Sequence, residues 1–252
     1  MQKEKLTNLL NELKQYHNIY GVKAEFETEE NSFEELLYLR EVTSKINLNF
    51  TIKIGGSGSL KDICEVKKLN ADTILAPMIE SKYALKKYVD TVKLVYSEDE
   101  LKNIQLLINI ETIDGFNNLN KIVKDENFKY IAGIVLGRND LVSSMGLRKE
   151  CVNSNEILNI ANTIAKEMEE QNKILIIGGC IDTNSIDFFD KISSKSFKKF
   201  ETRKIIFNLS DSLDKKSIYK AIEFEKLWLE NKNEVSIVDK KRIEHLEEIF
   251  VK

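Results

Sequence analysis

Short runs rich in β-branched and aromatic residues alternate along this chain with longer segments whose apolar positions recur at helical spacing. The runs are GVKAEFE (21–27), NFTIKIGG (49–56), ADTILAPM (71–78), TVKLVY (91–96), QLLINIET (105–112), YIAGIVLG (130–137), KILIIGG (173–179) and RKIIFNL (203–209). Between them, Ser32-Phe-Glu-Glu35 carries the residues of a capping box, and Phe33, Leu36, Leu37 and Val42 form the apolar stripe of the helix that follows. The same start signal is read at Ser59-Leu-Lys-Asp62. Ile157, Ile160, Ile164 and Met168 give the segment 154–171 its buried face. Strand followed by helix, eight times over, predicts parallel pairing through crossovers. Eight such units in this length predict an α/β fold, a closed (β/α)8 TIM barrel, as a single domain over 1–252. The count depends on TVKLVY, the weakest of the eight. An N-terminal helix is expected over 1–18 and a helical extension over about 214–252. The extension, with Leu227, Trp228 and Leu229 at its centre, is expected to pack on another subunit or to close the barrel bottom, so a homo-oligomer is anticipated.

Composition narrows the functional classes. The 38 Lys and Arg against 41 Asp and Glu leave a net charge of -3, which gives no electrostatic reason to expect nucleic acid or a membrane surface as partner. No run is long and apolar enough to span a bilayer, and the first twenty residues lack the core of a signal peptide, so a cytoplasmic location is expected. Cys64, Cys151 and Cys180 are too widely spaced for a CxxC metal motif. With His17 and His245 as the two histidines, both in terminal helical segments, a histidine-based triad or zinc site is not expected.

Barrel enzymes draw their chemistry from the C-terminal ends of strands. Here those ends carry Glu25, Glu27, Lys53, Met78, Glu80, Glu111, Asp140, Gly178 and Gly179. Leu107, Asn109 and Glu111 share one face of their strand, so Glu111 can point into the mouth. Asp140 follows the next strand. Two carboxylates on neighbouring strand ends suit Mg²⁺, which takes one or two protein carboxylates beside water and substrate oxygens. Either acid can instead cap the helix that follows it, and on spacing alone capping is the commoner outcome.

Three blocks, ADTILAPMIESKYALKKYV, LLINIETIDGFNNL and GIVLGRNDLVSSMG, occur in that order and separation. Together they resemble the HpcH/HpaI aldolase and citrate-lyase β-subunit family of pyruvate-handling barrels, over about Val22 to Gly179. The resemblance implies a metal-dependent carbon–carbon lyase or aldolase acting on a 2-oxo acid or related carboxylate. It also implies Mg²⁺ or Mn²⁺ as cofactor, with Glu111 and Asp140 as metal ligands. Lys53 stands where the family more often has Arg, and is expected to hold the substrate carboxylate unless it pairs with Glu25 or Glu27. A lysine cannot bind that carboxylate with a two-pronged fork. Where family members often place a catalytic histidine this chain has Thr28, which leaves Glu27 or metal-bound water to move the proton. Gly137, Arg138 and Asn139 are expected at the substrate: the glycine for close backbone approach, the arginine to grip an anion or reach a neighbouring subunit. The loop Gly55-Gly-Ser-Gly-Ser59 either cradles an anion or merely joins strand to helix. The competing readings are a citrate-lyase-like enzyme acting on an acyl-CoA, and a non-catalytic barrel that binds a carboxylate ligand or a partner.

Overall fold

The computed structural model describes residues 2–26, 29, 31–210, 214–232 and 234–251. Eight strands close a barrel in sequence order: β1 (Ile19–Glu25), β2 (Asn49–Lys53), β3 (Thr73–Ala76), β4 (Gln105–Ile110), β5 (Gly133–Gly137), β6 (Ile174–Gly178), β7 (Phe197–Glu201) and β8 (Ile205–Asn208). From β1 to β7 successive neighbours are parallel. β8 runs antiparallel to both β7 and β1. The barrel expected from the periodicity is therefore present, with its last strand reversed. Only three residues, Thr202 to Lys204, join β7 to β8, and Thr202 closes the turn on Ile205 through N–H to O at 2.9 Å. So short a link permits a hairpin and excludes the crossover that a parallel pair requires.

Two strand expectations are corrected. TVKLVY is the end of the helix Lys82–Val95, whose buried Leu85, Tyr88, Val89 and Val92 repeat at helical spacing. The strand it displaced from the count is β7, FKKFE. Its Phe197 and Phe200 are buried while Lys198 is exposed, and Phe200 stacks on Phe207 of β8 with ring centroids 4.7 Å apart. The start signals also divide. Ser32 makes the full capping box with Glu35. Ser59 makes no side-chain cap, and Asp62 turns back to accept the Gly55 N–H at 2.7 Å.

Alternation along the strands separates two environments. Leu75, Leu107, Val135 and Ile176 form a small apolar layer inside the barrel, distinct from the large core between the strands and the surrounding helices. Above that layer the inward positions become polar or charged: Lys23 on β1, Lys53 on β2, Asn109 and Glu111 at the end of β4, Glu201 on β7. The barrel thus has an apolar plug beneath a polar mouth. The C-terminal extension reaches the mouth of its own barrel. Within this one chain, the helix Lys215–Glu230 and the last helix, Ile237–Val251, supply Tyr219, Ile222, Glu225, Arg242, His245 and Ile249 to the mouth. Among the described residues no helix is long and apolar enough to cross a membrane.

Candidate active site

The mouth opens into a cavity of about 860 Å³ lined by Lys53, Asn109, Glu111, Gly137, Asn139 and Asp140 from the ends of β2, β4 and β5. Glu111 lies on its floor, 2 % exposed. Its Oε1 accepts the Met78 N–H at 3.0 Å, and its Oε2 accepts Asn109 Nδ2 at 2.7 Å and faces Lys53 Nζ at 3.5 Å. Met78 follows the chain's one proline and adopts a left-handed φ of 49°. This sparsely populated conformation accompanies the amide contact to the carboxylate. Burial pushes the Glu111 carboxyl above its ordinary range, Lys53 and the two hydrogen bonds pull it back, and Asp140 raises it again. A buried acid whose neighbour is a second acid is under-neutralised, which is the electrostatic condition a cation relieves.

Neither acid makes a side-chain cap, and of the two only Asp140 keeps a first-turn place that a helix N-terminus favours. The helix Ile113–Asn117 after Glu111 is capped by Thr112, whose Oγ1 accepts the Gly115 N–H at 3.1 Å. The helix Arg138–Ser144 has Gly137 as its N-cap, without a side-chain cap. Asp140 sits in its first turn, half-buried, and accepts Asn139 Nδ2 at 3.0 Å. Gly137 is fixed by the neighbouring strand end: a Cβ there would stand 2.7 Å from Glu111 Cβ and 2.8 Å from Oε2. Gly179, at φ 81°, leaves equally little room, since a Cβ would meet the Asn139 N at 2.5 Å. Close packing of the ends of β4, β5 and β6 thus places Glu111 and Asn139–Asp140 on one cavity.

The residues expected from the sequence distribute unevenly. Lys53, Glu111, Gly137, Asn139 and Asp140 come together. Arg138 does not. It is fully buried and turned away from the mouth, donating to Gly178 O (3.3 Å), Gly179 O (3.0 Å), Val152 O (3.4 Å), Ser185 Oγ (3.2 Å) and Asn153 Oδ1, with its guanidinium 4.8 Å from the Phe188 ring centroid. Burial pulls its pKa down to about 10. Its donors are spent on fixing the loops after β5 and β6, so neither anion gripping nor reach to another subunit fits. Glu27 and Thr28 lie outside the described residues. The Gly55–Ser59 loop joins strand to helix and lies away from the cavity lining.

Other mouth residues escaped the sequence reading. Lys23 pairs with Glu201 across the β1–β7 gap. Glu29, 2 % exposed, pairs with the fully buried Lys204 and lies 3.4 Å from Arg203 Nε, while Arg203 Nη2 faces Glu25 at 3.8 Å. Burial pushes Glu25 up, with the charge of Glu29 adding to it. Glu25 was already among the strand-end candidates, and Lys23 was within reach of strand alternation. Glu201, Arg203 and Lys204 were not, because β7 and the reversed β8 were unseen. Asn109 keeps one unsatisfied buried atom, its Oδ1.

Among the described residues no group of three or more His, Cys, Asp or Glu side chains is arranged to hold a metal ion. The relevant set is therefore the pair Glu111 and Asp140, and it fits a hard cation: oxygen donors only, repelling one another, with the buried member oriented by neighbouring N–H groups.

A family model described as HpcH/HpaI aldolase/citrate lyase matches residues 45–186, more than half of the chain. No curated protein sequence matches. Among solved structures, an HpcH/HpaI aldolase from Desulfitobacterium hafniense DCB-2 superposes with a TM-score of 0.64 at 10 % identity, covering 78 % of this chain and 82 % of that one. An HpcH/HpaI aldolase/citrate lyase family protein from Burkholderia cenocepacia J2315 gives 0.61 at 10 % identity, covering 79 % and 83 %. A variant of the citrate synthase SbnG gives 0.60 at 16 % identity, covering 79 % and 81 %. At these identities the structural likeness speaks to fold.

Proposed function

Because this chain belongs to the HpcH/HpaI aldolase/citrate lyase family, a membership that supports lyase- or aldolase-type chemistry, we propose that it is a divalent-metal-dependent carbon–carbon lyase or aldolase of 2-oxo acids. The observation that carries this reading is the pair of strand-end carboxylates on one cavity, neither of which makes a side-chain cap. Glu111 and Asp140 share a cavity, repel one another, and have Lys53 as the nearest cation. We assign them as the residues that would hold Mg²⁺ or Mn²⁺. When bound, such an ion supplies Lewis-acid polarisation of the 2-oxo group and of the negative charge that develops on it.

The chain's own groups do the rest. Lys53, 18 % exposed and 3.5 Å from Glu111 Oε2, is free to swing toward a substrate carboxylate as a point charge. Asn109 Nδ2 and the Met78 amide hold Glu111 in one orientation. Asn139 reaches the same cavity beside Asp140, with its Oδ1 3.1 Å from Cys180 Sγ. We assign to Glu25, which lines the cavity at the end of β1 and is raised by burial, the exchange of a proton with the carbon of the 2-oxo half. The rim favours a small substrate over an acyl-CoA. Arg203 is engaged by Glu25 and Glu29, and Arg242 by Glu225. Lys149 is then the one rim cation without a carboxylate partner among the described residues, few for a nucleotide's phosphates.

Calorimetric titration with Mg²⁺ and Mn²⁺ tests the assignment. The wild-type protein is expected to bind, and Glu111→Gln and Asp140→Asn each to weaken binding by about tenfold or more. Variants that bind as the wild type does would remove the proposed site.

A further inference from the structure

Cleavage of a 4-hydroxy-2-oxo acid requires proton transfer at two places: at the carbon of the 2-oxo half, and at the hydroxyl oxygen of the half that leaves as an aldehyde. Glu25, at the end of β1, is assigned the first. For the second, the carboxylates around the mouth are committed. Glu201 holds Lys23, and Glu225 holds Arg242 through contacts of 2.7 and 3.0 Å. Asp182 accepts the N–H groups of Asn184 and Ser185, and Arg203 lies against Glu25 and Glu29.

His245 is different. It lines the same cavity from the last helix and is exposed, and among the described residues its imidazole makes no hydrogen bond or ion pair. The helix that carries it is anchored on both sides. Leu246, the next residue, is fully buried. Arg242, one turn earlier, grips Glu225, and Glu247 meets Lys226 at 2.8 Å. At the start of the helix, Asp239 pairs with Lys232 at 2.9 Å, both nearly fully buried. His245 thus presents an exposed imidazole, on an anchored helix, to the cavity that Glu111, Asp140 and Lys53 also line. The chain's other histidine, His17, is hydrogen-bonded to Ser217 at 2.8 Å, close to the start of β1 and away from the mouth.

We infer that His245 is the acid–base group for the acceptor half of the substrate, delivered by the C-terminal helix instead of the first strand. The inference rests on the lyase or aldolase reading above. In cleavage, a ring nitrogen takes the hydroxyl proton. The carbon–oxygen double bond of the aldehyde forms as the C3–C4 bond breaks, and that bond's electron pair passes into the enolate of the 2-oxo half. In condensation the imidazolium returns its proton to the alkoxide. No electrons leave the substrate, so no oxidant or reductant is needed.

Two reactions of pyruvate in the presence of Mg²⁺ or Mn²⁺ separate the inference from its premise: solvent-deuterium exchange into the methyl group, and condensation with glycolaldehyde. For His245→Ala the ratio of condensation to exchange is expected to fall about 100-fold, and added imidazole to restore part of it. His17→Ala, the control, should leave the ratio as in the wild type. An unchanged ratio in His245→Ala, equal loss of both reactions without imidazole rescue, or exchange by the wild type with no condensation would overturn the role of His245. A wild-type protein that neither exchanges nor condenses would overturn the lyase reading itself.

Discussion

Glu29 and Glu111 are equally hidden, each 2 % exposed, and each follows the C-terminal end of a strand, β1 or β4, yet their carboxyls are displaced in opposite directions. Burial pushes both up. At Glu29, the contacts with Lys204 and Arg203 outweigh burial and hold the acid below its ordinary value. At Glu111, one lysine at 3.5 Å and two neutral N–H donors do not, and Asp140 adds a like charge. Burial alone therefore does not distinguish a structural carboxylate from a working one; the surrounding partners do. The β1–β7–β8 side of the mouth is a closed set of ion pairs. The β4–β5 side sets Glu111 and Asp140 against one lysine, and that imbalance is what the proposed cation would neutralise.

Breaking the closed side should cost the most. Glu29→Ala leaves Lys204 fully buried without its carboxylate, and a loss of about 3–5 kcal/mol in urea unfolding is expected. A loss below about 1 kcal/mol would mean that Lys204 finds another partner. Gly137→Ala comes next: the added methyl group would stand 2.7 Å from Glu111 Cβ, and overpacking of this kind costs about 1–3 kcal/mol. Its sharper signature is weakened Mg²⁺ binding from a displaced Glu111, which a stability effect elsewhere in the barrel would not produce. The smallest effect is that of pH. Protons and a cation compete for Glu111, so Mg²⁺ affinity should fall by up to about tenfold per unit as pH drops through its raised value, starting above the ordinary 4.5. Affinity that holds level down to pH 4.5 would contradict the raised carboxyl.

Stability should follow the same opposition. Glu29, held below its ordinary value, contributes stability that is present above the ordinary glutamate range and lost as pH falls through its lowered value. Glu111, held above, contributes stability that is present below that range and lost as pH rises through its raised value.

The two sides also differed in how far the sequence revealed them. Glu111 shows itself through simple alternation from Leu107 and Asn109 on a strand with no charged residue before it, and Asp140 through its place after the next apolar run. Glu201 lies on FKKFE, whose two lysines hide a strand, and TVKLVY looks like a strand only because the apolar face of its helix ends in branched residues. The reversed β8 follows from a three-residue link that begins with an ordinary strand pattern on its far side. Arg138 adjoins the candidate ligand in sequence, yet the helix start at Gly137 turns it to the opposite side, where carbonyls consume its donors. Local period fixes an element's inner face, but it does not report which distant charges will meet there. That is why the last helix, with Arg242 and His245, could not be placed at the mouth.

Solvent-deuterium exchange into the methyl group of pyruvate tests the central claim most directly, because it detects proton transfer at the 2-oxo half without any knowledge of the acceptor. Exchange that depends on added Mg²⁺ or Mn²⁺, and that is lost in both Glu111→Gln and Asp140→Asn, is the expected result. No exchange by the wild-type protein with either metal, or exchange that survives both substitutions, would contradict the assignment of Glu111 and Asp140.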